Sequence, residues 1–336
     1  MVTLEQIKAA QQRLRGVATR TPLVRYFPAA IRNGAPPGST PLTNARSLSL
    51  KLESMQPIGS FKLRGAYNKI ASLPEEERQR GVITYSSGNH AQGVAYAAHI
   101  LGIKAVIVMP RTAPKVKVEA TVTLGAEIVT VGPSSLERQH KAEELAQQYG
   151  YAVIPPYNDE QIIAGQGTTG LEILEDCPQA DLVLVPVGGG GLISGVATAL
   201  KLSGAKAKII GVEPELANDA QQSFRKGTIV QLAADRVSST LADGLRTQSV
   251  GPINFEHIQQ FVDDIITVKE DEIRLAMGHL ARHGRIVAEP SGAVTFAAWL
   301  CHAKELPASE QAVAVVSGGN LDPQLLAQVL TEEPHP

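Results

Sequence analysis

The chain has 336 residues, of which 43% are hydrophobic, 19% charged and 4% aromatic, with a net charge of -2 at pH 7. This size and composition predict a globular, water-soluble protein of two lobes. The near-neutral charge, the low aromatic content and the short apolar runs argue against nucleic acid or a membrane as partner. The two cysteines, Cys177 and Cys301, show neither zinc nor disulfide spacing, which favours a reducing cytoplasm.

Predicted elements begin with an amphipathic helix in MVTLEQIKAAQQRLRGV, followed by an irregular Pro/Gly-rich loop over residues 27–47. Strands are predicted in VITYSS (82–87), KAVIVM (104–109), EIVTV (127–131), LVLVPV (182–187), KIIGVE (208–213), DIITV (264–268) and AVAVVS (312–317). Helices are predicted in HAQGVAYAAHIL, KVKVEATVTL, SLERQHKAEELAQQY, LISGVATALKL and from Glu270 onward. This alternation predicts an α/β fold with mostly parallel sheets covered by helices on both faces.

Four glycines, Gly188 to Gly191, lie between a predicted strand and a predicted helix in LVPVGGGGLISGV. Glycines here let successive N–H groups point toward one anion, and the helix N-terminus adds partial positive charge. The run therefore indicates a phosphate-binding loop, with a tight turn that binds nothing as the alternative. A Walker-type site is disfavoured because no Lys-Ser or Lys-Thr pair follows, and a nicotinamide-type site because the G-x-G-x-x-G spacing is matched only loosely.

A single lysine, Lys62, stands in the stretch SMQPIGSFKLRGA. A phosphate-binding loop together with an isolated lysine suggests pyridoxal phosphate, whose aldehyde condenses with a lysine amine. The amine must be uncharged to react, and we expect burial beside Phe61 and the positive charge of Arg64 to lower its pKa. From this stretch alone, the alternative is a surface helix with two solvated basic side chains.

Four motifs, GSFKLRGA, SSGNHAQG, GGGG and SGGN, occur in this order along the chain. In order and spacing they resemble the fold-type II pyridoxal phosphate enzymes, which are similar to the tryptophan synthase beta chain, and specifically the serine/threonine dehydratase and serine racemase group. The resemblance covers nearly the whole chain. It implies a two-lobed fold with a discontinuous large cofactor-binding domain (residues 1–79 and 153–336) and a small mobile substrate domain (residues 80–152).

The resemblance also implies roles for the motif residues. Lys62 forms the Schiff base with the cofactor, Phe61 packs beside the ring, and Asn89 hydrogen-bonds the phenolic oxygen. Ser317 faces the pyridine nitrogen. The phosphate loop comprises Gly188, Gly189, Gly190, Gly191 and the N–H of Leu192. The loop that binds the substrate carboxylate comprises Ser86, Ser87, Gly88, Asn89 and His90.

The activity implied is that of a pyridoxal phosphate-dependent ammonia-lyase, which converts a 3-hydroxy amino acid such as L-threonine or L-serine into a 2-oxo acid and ammonia by β-elimination. The freed amine of Lys62 serves as general base. Because the Ser317 hydroxyl is neutral, the cofactor ring is a weak electron sink, which favours prompt loss of the β-substituent.

Ser87 leaves alternatives open. Bacterial threonine dehydratases resemble SAGNHAQG in this loop, whereas serine racemases and hydroxyaspartate dehydratases resemble SSGNH. A hydroxyl opposite Lys62 serves proton transfer in a racemase, or it binds the substrate carboxylate passively. Serine racemisation and dehydration of 3-hydroxyaspartate or phenylserine are therefore alternative activities, and a phosphate-ligand binding protein without catalysis is the hypothesis from a different class.

Two carboxylates, Glu213 and Asp219, follow a predicted strand in GVEPELAND. The pattern resembles that of the serine racemase group, which implies a divalent cation (Mg²⁺, Ca²⁺ or Mn²⁺) held by both carboxylates and the carbonyl of Ala217. The alternative is an acidic, solvated helix start.

The resemblance alone implies a homodimer. Arg138 is interpreted as an exposed helix residue, with recognition of a second substrate carboxylate as the alternative.

Overall fold

The computed structural model describes residues 1–27, 45–113, 115–132 and 135–332. The helices are α1 (Leu4–Arg13), α2 (Lys62–Ala71), α3 (Glu75–Arg80), α4 (Asn89–Leu101), α5 (Lys115–Thr123), α6 (Ser135–Tyr149), α7 (Glu160–Asp176), α8 (Gly191–Leu202), α9 (Asp219–Lys226), α10 (Ala234–Ser238), α11 (Pro252–Phe261), α12 (Glu270–His279), α13 (Pro290–Cys301) and α14 (Pro323–Thr331). The strands are β1 (Leu23–Tyr26), β2 (Ala45–Leu52), β3 (Val82–Tyr85), β4 (Ala105–Pro110), β5 (Glu127–Val131), β6 (Ala152–Val153), β7 (Leu182–Pro186), β8 (Lys208–Pro214), β9 (Asp264–Val268) and β10 (Ser309–Val316).

Within these residues the strands form two sheets. The larger has the strand order β1-β2-β10-β7-β8-β9, and the smaller has the order β5-β4-β3-β6. Every pairing in the described chain is parallel except that of β1 with β2. Parallel neighbours need crossover connections, and helices supply them. The predicted α/β fold with mostly parallel, helix-covered sheets is confirmed.

The larger sheet is buried on both faces because successive side chains of a strand point to opposite sides. On β7, Leu184 packs in one cluster with Phe296 of α13. Its neighbour Val183 packs in a second cluster with Ile193 and Val196 of α8. Both faces are apolar, which explains why LVLVPV is a continuous hydrophobic run rather than an alternating one.

Predicted and observed elements differ in several places. The strand predicted over 82–87 ends at Tyr85, because the next residues turn into the start of α4. The loop predicted over 27–47 falls largely outside the described residues, and positions 45–47 belong to β2, which pairs with β10. Helix α7 is missing from the predicted elements. Its glycines lower helix propensity, and its burial on nearly all sides removes the amphipathic period.

Helix α7 lies between α2 and α8, and glycines bring the three helices unusually close. A Cβ at Gly165 of α7 would lie 2.5 Å from the carbonyl oxygen of Arg64 in α2. A Cβ at Gly167 would lie 3.0 Å from the carbonyl oxygen of Gly195 in α8. Side chains larger than glycine's hydrogen would push these backbones apart. Since α2 begins at Lys62 and α8 begins in the glycine run, α7 fixes the position of one relative to the other.

Candidate active site

Three of the motifs follow the carboxyl ends of parallel strands. SSGNH follows β3, the glycine run follows β7, and SGGN follows β10, which is the usual place for ligand sites in α/β folds. The fourth motif, GSFKLRGA, is joined to SGGN by the backbone. Ser60 forms an isolated bridge with Gly318, and the Phe61 N–H donates to the Ser317 carbonyl at 3.1 Å. The motifs are therefore brought together around the start of α2.

Lys62 is the first residue of α2, and its side chain turns into the protein. Its Nζ donates a hydrogen bond to the carbonyl oxygen of Pro156 at 2.7 Å and lies 5.2 Å from the centre of the Phe61 ring. Burial lowers the pKa of Lys62 to about 8, because the charged ammonium loses solvation in the protein interior. The predicted contact with Phe61 is present, and the pKa moves in the predicted direction.

Arg64 does not cause this pKa shift, contrary to expectation. Its guanidinium points away from Lys62 and forms hydrogen-bonded ion pairs with Glu53 and Glu172 at 2.8 and 2.7 Å. Residues three or four apart share a helix face, whereas residues two apart do not. Burial alone accounts for the lowered pKa of Lys62, and the interpretation of Arg64 as the cation that lowers it is wrong.

The glycine run forms a loop with unused hydrogen-bond donors. Gly190 has φ 93°, a left-handed conformation that favours glycine, and caps the start of α8. The N–H groups of residues 188–192 have no acceptor among the described residues, as expected for a loop at a helix N-terminus. The Tyr157 ring lies against Gly189, where a Cβ would overlap it. These free donors at a helix start fit a phosphate, so the residues present suit the group that the sequence implies.

The SSGNH loop also leads into a helix N-terminus. Gly88 is the N-cap of α4, and its N–H donates to the Ser86 Oγ at 3.3 Å. Among the described residues, the Ser87 hydroxyl has no hydrogen-bond partner. The first turn of α4 therefore presents backbone donors and a free hydroxyl, which suits a carboxylate.

His90 is buried and neutral. Its Nε2 lies 2.9 Å from the carbonyl oxygen of Ile154, which requires the proton on Nε2 because a carbonyl only accepts. Its Nδ1 has no partner in the described structure. Burial, followed by the positive charge of Lys62, lowers the pKa of His90 to about 3. His90 is therefore an uncharged neighbour of Lys62 and a poor base.

Asn89 is held at both ends of its amide. Its Nδ2 donates to the Glu289 Oε1 at 2.6 Å, and its Oδ1 accepts from the Asn320 Nδ2 at 2.9 Å. Glu289 is only 3% exposed and stands in no motif, so no sequence pattern indicates it. Asn320 ends the SGGN motif and was not assigned a role. Together they fix the orientation of the Asn89 amide.

Ser317 directly follows β10 in the interior, where only 2% of it is exposed. Its Oγ donates to the Ser291 carbonyl at 3.3 Å, near the upper limit for a hydrogen bond.

Tyr157 is a second residue that the motifs did not indicate. Its phenol is buried, which raises its pKa to about 12, and it follows Pro156, the residue that holds the Lys62 amine. A tyrosine whose ring lies against the glycine run and whose hydroxyl stays neutral is thus part of the site.

The carboxylates predicted to bind metal lie close together and are buried. Glu213 accepts N–H bonds from Ala220 at 3.1 Å and Gln221 at 2.7 Å. Neither carboxylate oxygen of Asp219 has a hydrogen bond of good geometry within the described residues, although its own N–H, the Val250 N–H and the Thr247 hydroxyl act to lower its pKa. Burial raises the pKa of Asp219 to about 7, and burial together with Asp219 raises that of Glu213. The described chain contains no group of three or more His, Cys, Asp or Glu side chains arranged for a metal.

Comparison with known proteins identifies the family. The model of the family described as pyridoxal-phosphate dependent enzyme matches residues 34–318. The chain belongs to this family. It is 43% identical over 335 residues to an L-threonine ammonia-lyase of Thermotoga maritima, covering 99% of this chain and 79% of that protein. It is 42% identical over 300 residues to an L-threo-3-hydroxyaspartate ammonia-lyase of Saccharomyces cerevisiae, covering 87% and 91%.

Solved structures agree with this assignment. The structure of maize serine racemase superposes with a TM-score of 0.89 at 36% identity, covering 97% of this chain and 96% of that one. The predicted membership of the fold-type II pyridoxal phosphate enzymes is confirmed. The division into the domains 1–79 with 153–336 and 80–152, and the roles of individual site residues, stay predictions. In the described part of the chain, no helix combines the length and apolarity needed to cross a membrane.

Proposed function

We propose that the chain is a pyridoxal phosphate-dependent ammonia-lyase that converts a 3-hydroxy amino acid, L-threonine or L-serine, into a 2-oxo acid and ammonia by β-elimination. The observation that carries the proposal is the partly buried Lys62 amine, with its lowered pKa and its hydrogen bond to Pro156. The next residue, Tyr157, lies against a glycine loop whose N–H groups are free among the described residues. The ammonia-lyase relatives at 42–43% identity support the reaction type.

The cofactor site consists of the glycine loop and the residues around Lys62. When bound, pyridoxal phosphate supplies an aldehyde for attachment and a conjugated ring that accepts electrons from the substrate. The N–H groups of Gly188 to Leu192 would hold the phosphate, and Asn89, fixed by its two partners, would donate to the ring oxygen. Ser317 would face the ring nitrogen with a neutral hydroxyl, so the site does not enforce protonation there.

Lys62 is suited to move a proton at physiological pH. With a pKa of about 8, roughly one amine in eleven is uncharged at pH 7, against roughly one in three thousand for an ordinary lysine. The Pro156 carbonyl holds the amine in position while it is not attached to anything. His90 does not compete for the proton, since its ring stays neutral. The freed amine is therefore the general base for the Cα proton.

The substrate carboxylate would bind at the start of α4. The backbone N–H groups of Ser87 to His90 are the donors, and the helix N-terminus adds favourable charge. Binding there would orient the Cα–H bond of the substrate toward Lys62. Nothing in the SSGNH loop carries a positive side chain, so recognition rests on backbone donors, as for other anions at helix starts.

Racemisation is the second candidate because of one observation. The Ser87 hydroxyl has no partner in the described structure, so it is free to exchange a proton with Cα on the side opposite Lys62. The maize serine racemase at TM-score 0.89 supports this alternative, and the yeast hydroxyaspartate ammonia-lyase supports a dicarboxylate substrate. Free Ser87 alone does not decide between proton transfer and carboxylate binding.

A divalent cation is part of the proposal. Glu213, Asp219 and the Ala217 carbonyl would hold Mg²⁺, Ca²⁺ or Mn²⁺, hard cations that take oxygen ligands. The support is physical: two neighbouring buried carboxylates repel each other, and the burial of Asp219 outweighs the donors around it, so that its pKa is raised. A cation there would act structurally on the segment that follows β8.

Three further features of the proposal rest on the family resemblance. Residues 80–152, which carry nearly all of the smaller sheet, would move against the remainder when substrate binds. The enzyme would be a homodimer, and it would act in the cytoplasm on a small amino acid. Each stays a prediction.

A substrate panel tests the proposed function. Purified enzyme with pyridoxal phosphate is incubated with L-serine, L-threonine, L-threo-3-hydroxyaspartate and phenylserine, and oxo acid is measured beside chiral analysis of the remaining amino acid. We expect 2-oxobutanoate from L-threonine or pyruvate from L-serine, with retained L configuration. D-serine in excess of pyruvate would favour the racemase instead. No product from any of the four would refute both.

A further inference from the structure

A cluster of buried charges lies directly behind Lys62. Arg64, Glu53 and Glu172 are 1%, 0% and 6% exposed, and Lys51 is fully buried. Two cations therefore face two carboxylates in the interior. None of these residues is needed to bind the cofactor or substrate in the proposed function, so the burial of Arg64 with its partners, two residues from the reactive lysine, calls for another explanation.

Arg64 is the centre of this cluster. Its Nε and Nη2 donate to the two oxygens of Glu53 at 2.8 Å each. Its Nη1 and Nη2 donate to the two oxygens of Glu172 at 2.7 and 2.8 Å. A further bond from Nη1 reaches the Thr168 Oγ1 at 3.1 Å. This double fork fixes the orientation of the guanidinium plane, which a lysine ammonium cannot do.

The hydrogen bonds of Arg64 link the start of α2, where Lys62 stands, to the glycine loop through tightly packed helices. Glu53 follows β2, whereas Thr168 and Glu172 lie on α7. Helix α7 packs on α8 through the close approach of Gly167 to Gly195, and α8 begins in the glycine run. The start of α2 has no side-chain N-cap of its own. Its first turn is anchored by Arg64 and by Gln166 of α7, whose Oε1 accepts from the Gly65 N–H at 3.2 Å.

Stability is a weak explanation for this arrangement. Burying two ion pairs costs desolvation that their attraction only roughly offsets, and apolar packing of the same volume is often as stable. What a forked pair adds is a defined direction and distance. A molecule that is held by a phosphate loop and also attached to a lysine needs a defined distance between the two. Misplacement of reacting groups by about 1 Å can lower a reaction rate about 100-fold.

We propose that Arg64 is a positioning residue: through Glu53, Thr168 and Glu172 it sets the distance between the Lys62 amine and the glycine loop. The inference rests on the proposed function, since it concerns attachment of the same cofactor. In that attachment a C=N bond forms between the cofactor aldehyde and Nζ, and the aldehyde oxygen leaves as water. Arg64 acts only through the backbone of α2.

The test compares two ligands that share the phosphate and the ring. Pyridoxal phosphate attaches to Lys62, whereas pyridoxamine phosphate has no aldehyde and reports binding of the phosphate and the ring without attachment. Affinities for both are measured by fluorescence titration on wild type, Arg64→Lys, the milder Glu172→Gln, and the control Asp263→Asn. Asp263 pairs with Lys201 and Lys208 at the end of α8 far from the glycine run.

We expect Arg64→Lys to weaken pyridoxal phosphate binding by about 10-fold or more while changing pyridoxamine phosphate binding by less than about threefold. Glu172→Gln should change the ratio of the pyridoxal phosphate affinity to the pyridoxamine phosphate affinity in the same direction. If Arg64→Lys does not fold, the result for Glu172→Gln tests the inference. Asp263→Asn should leave the ratio unchanged. An equal loss for both ligands, or no loss for either, would overturn the inference. Wild type that binds pyridoxamine phosphate but never attaches the aldehyde would instead refute the proposed function.

Discussion

Replacing Gly165 by alanine should damage the active site from a distance. The new Cβ would lie 2.5 Å from the Arg64 carbonyl oxygen and 2.7 Å from the Gly65 Cα. Ordinary contact begins near 3.4 Å, so α2 and α7 must separate by about 0.9 Å, the difference between 3.4 and 2.5 Å. Overpacking of this kind costs about 1–3 kcal/mol of stability, and the start of α2 moves with Lys62.

Two assays measure this effect. The free energy of unfolding is obtained from urea denaturation, and cofactor attachment is measured from the visible absorbance of the holoenzyme. The control is Gly284→Ala, whose Cβ would meet Ile286 only at 3.4 Å and beyond. A Gly165→Ala enzyme with wild-type stability and wild-type attachment would refute the argument that α7 positions Lys62 by close backbone contact.

Attachment of pyridoxal phosphate to the apoenzyme should speed up about tenfold per pH unit below pH 8 and level off above it, because only the deprotonated Lys62 amine reacts and its pKa is about 8. Stopped-flow absorbance checks this, and a rate that still rises at pH 10 would contradict it. Ser87→Ala should abolish any D-amino acid formation while keeping at least about a tenth of the elimination rate, since the general base is retained; chiral chromatography measures the first, and unchanged racemisation speaks against a role for the hydroxyl. Millimolar Mg²⁺, Ca²⁺ or Mn²⁺ should raise the melting temperature of wild type but not of Asp219→Asn, because the unpaired carboxylate is a ligand; equal shifts in both proteins would place the cation elsewhere.

The parts of the site that the sequence predicts are those in local motifs. Lys62, the glycine run and Ser317 stand in short stretches, and the parallel strands β7 and β10 bring the last two to one sheet edge. The role of Arg64 was misjudged because its partners are far away in sequence. Glu53 is 11 residues from it and Glu172 is 108 residues from it, so no local pattern indicates the fork.

Tertiary packing explains the elements that sequence patterns missed. Helix α7 is buried from Ile162 to Ile173, so it lacks a polar face, and its glycines are required by α2 and α8 rather than by its own helicity. Glu289 gives no signal either, since a single glutamate before a proline is ordinary in sequence. Its hydrogen bond to Asn89 exists only because α4 and α13 meet in the fold.

The most direct test of the account identifies the lysine that carries the cofactor. The holoenzyme is reduced with borohydride, digested and analysed by mass spectrometry, with Lys62→Ala and the neighbouring helix variant Lys69→Ala treated in parallel. We expect the phosphopyridoxyl mass on the peptide that contains Lys62, its loss in Lys62→Ala and its retention in Lys69→Ala. A label on a different lysine, or no label in wild type, would contradict attachment of the cofactor to Lys62.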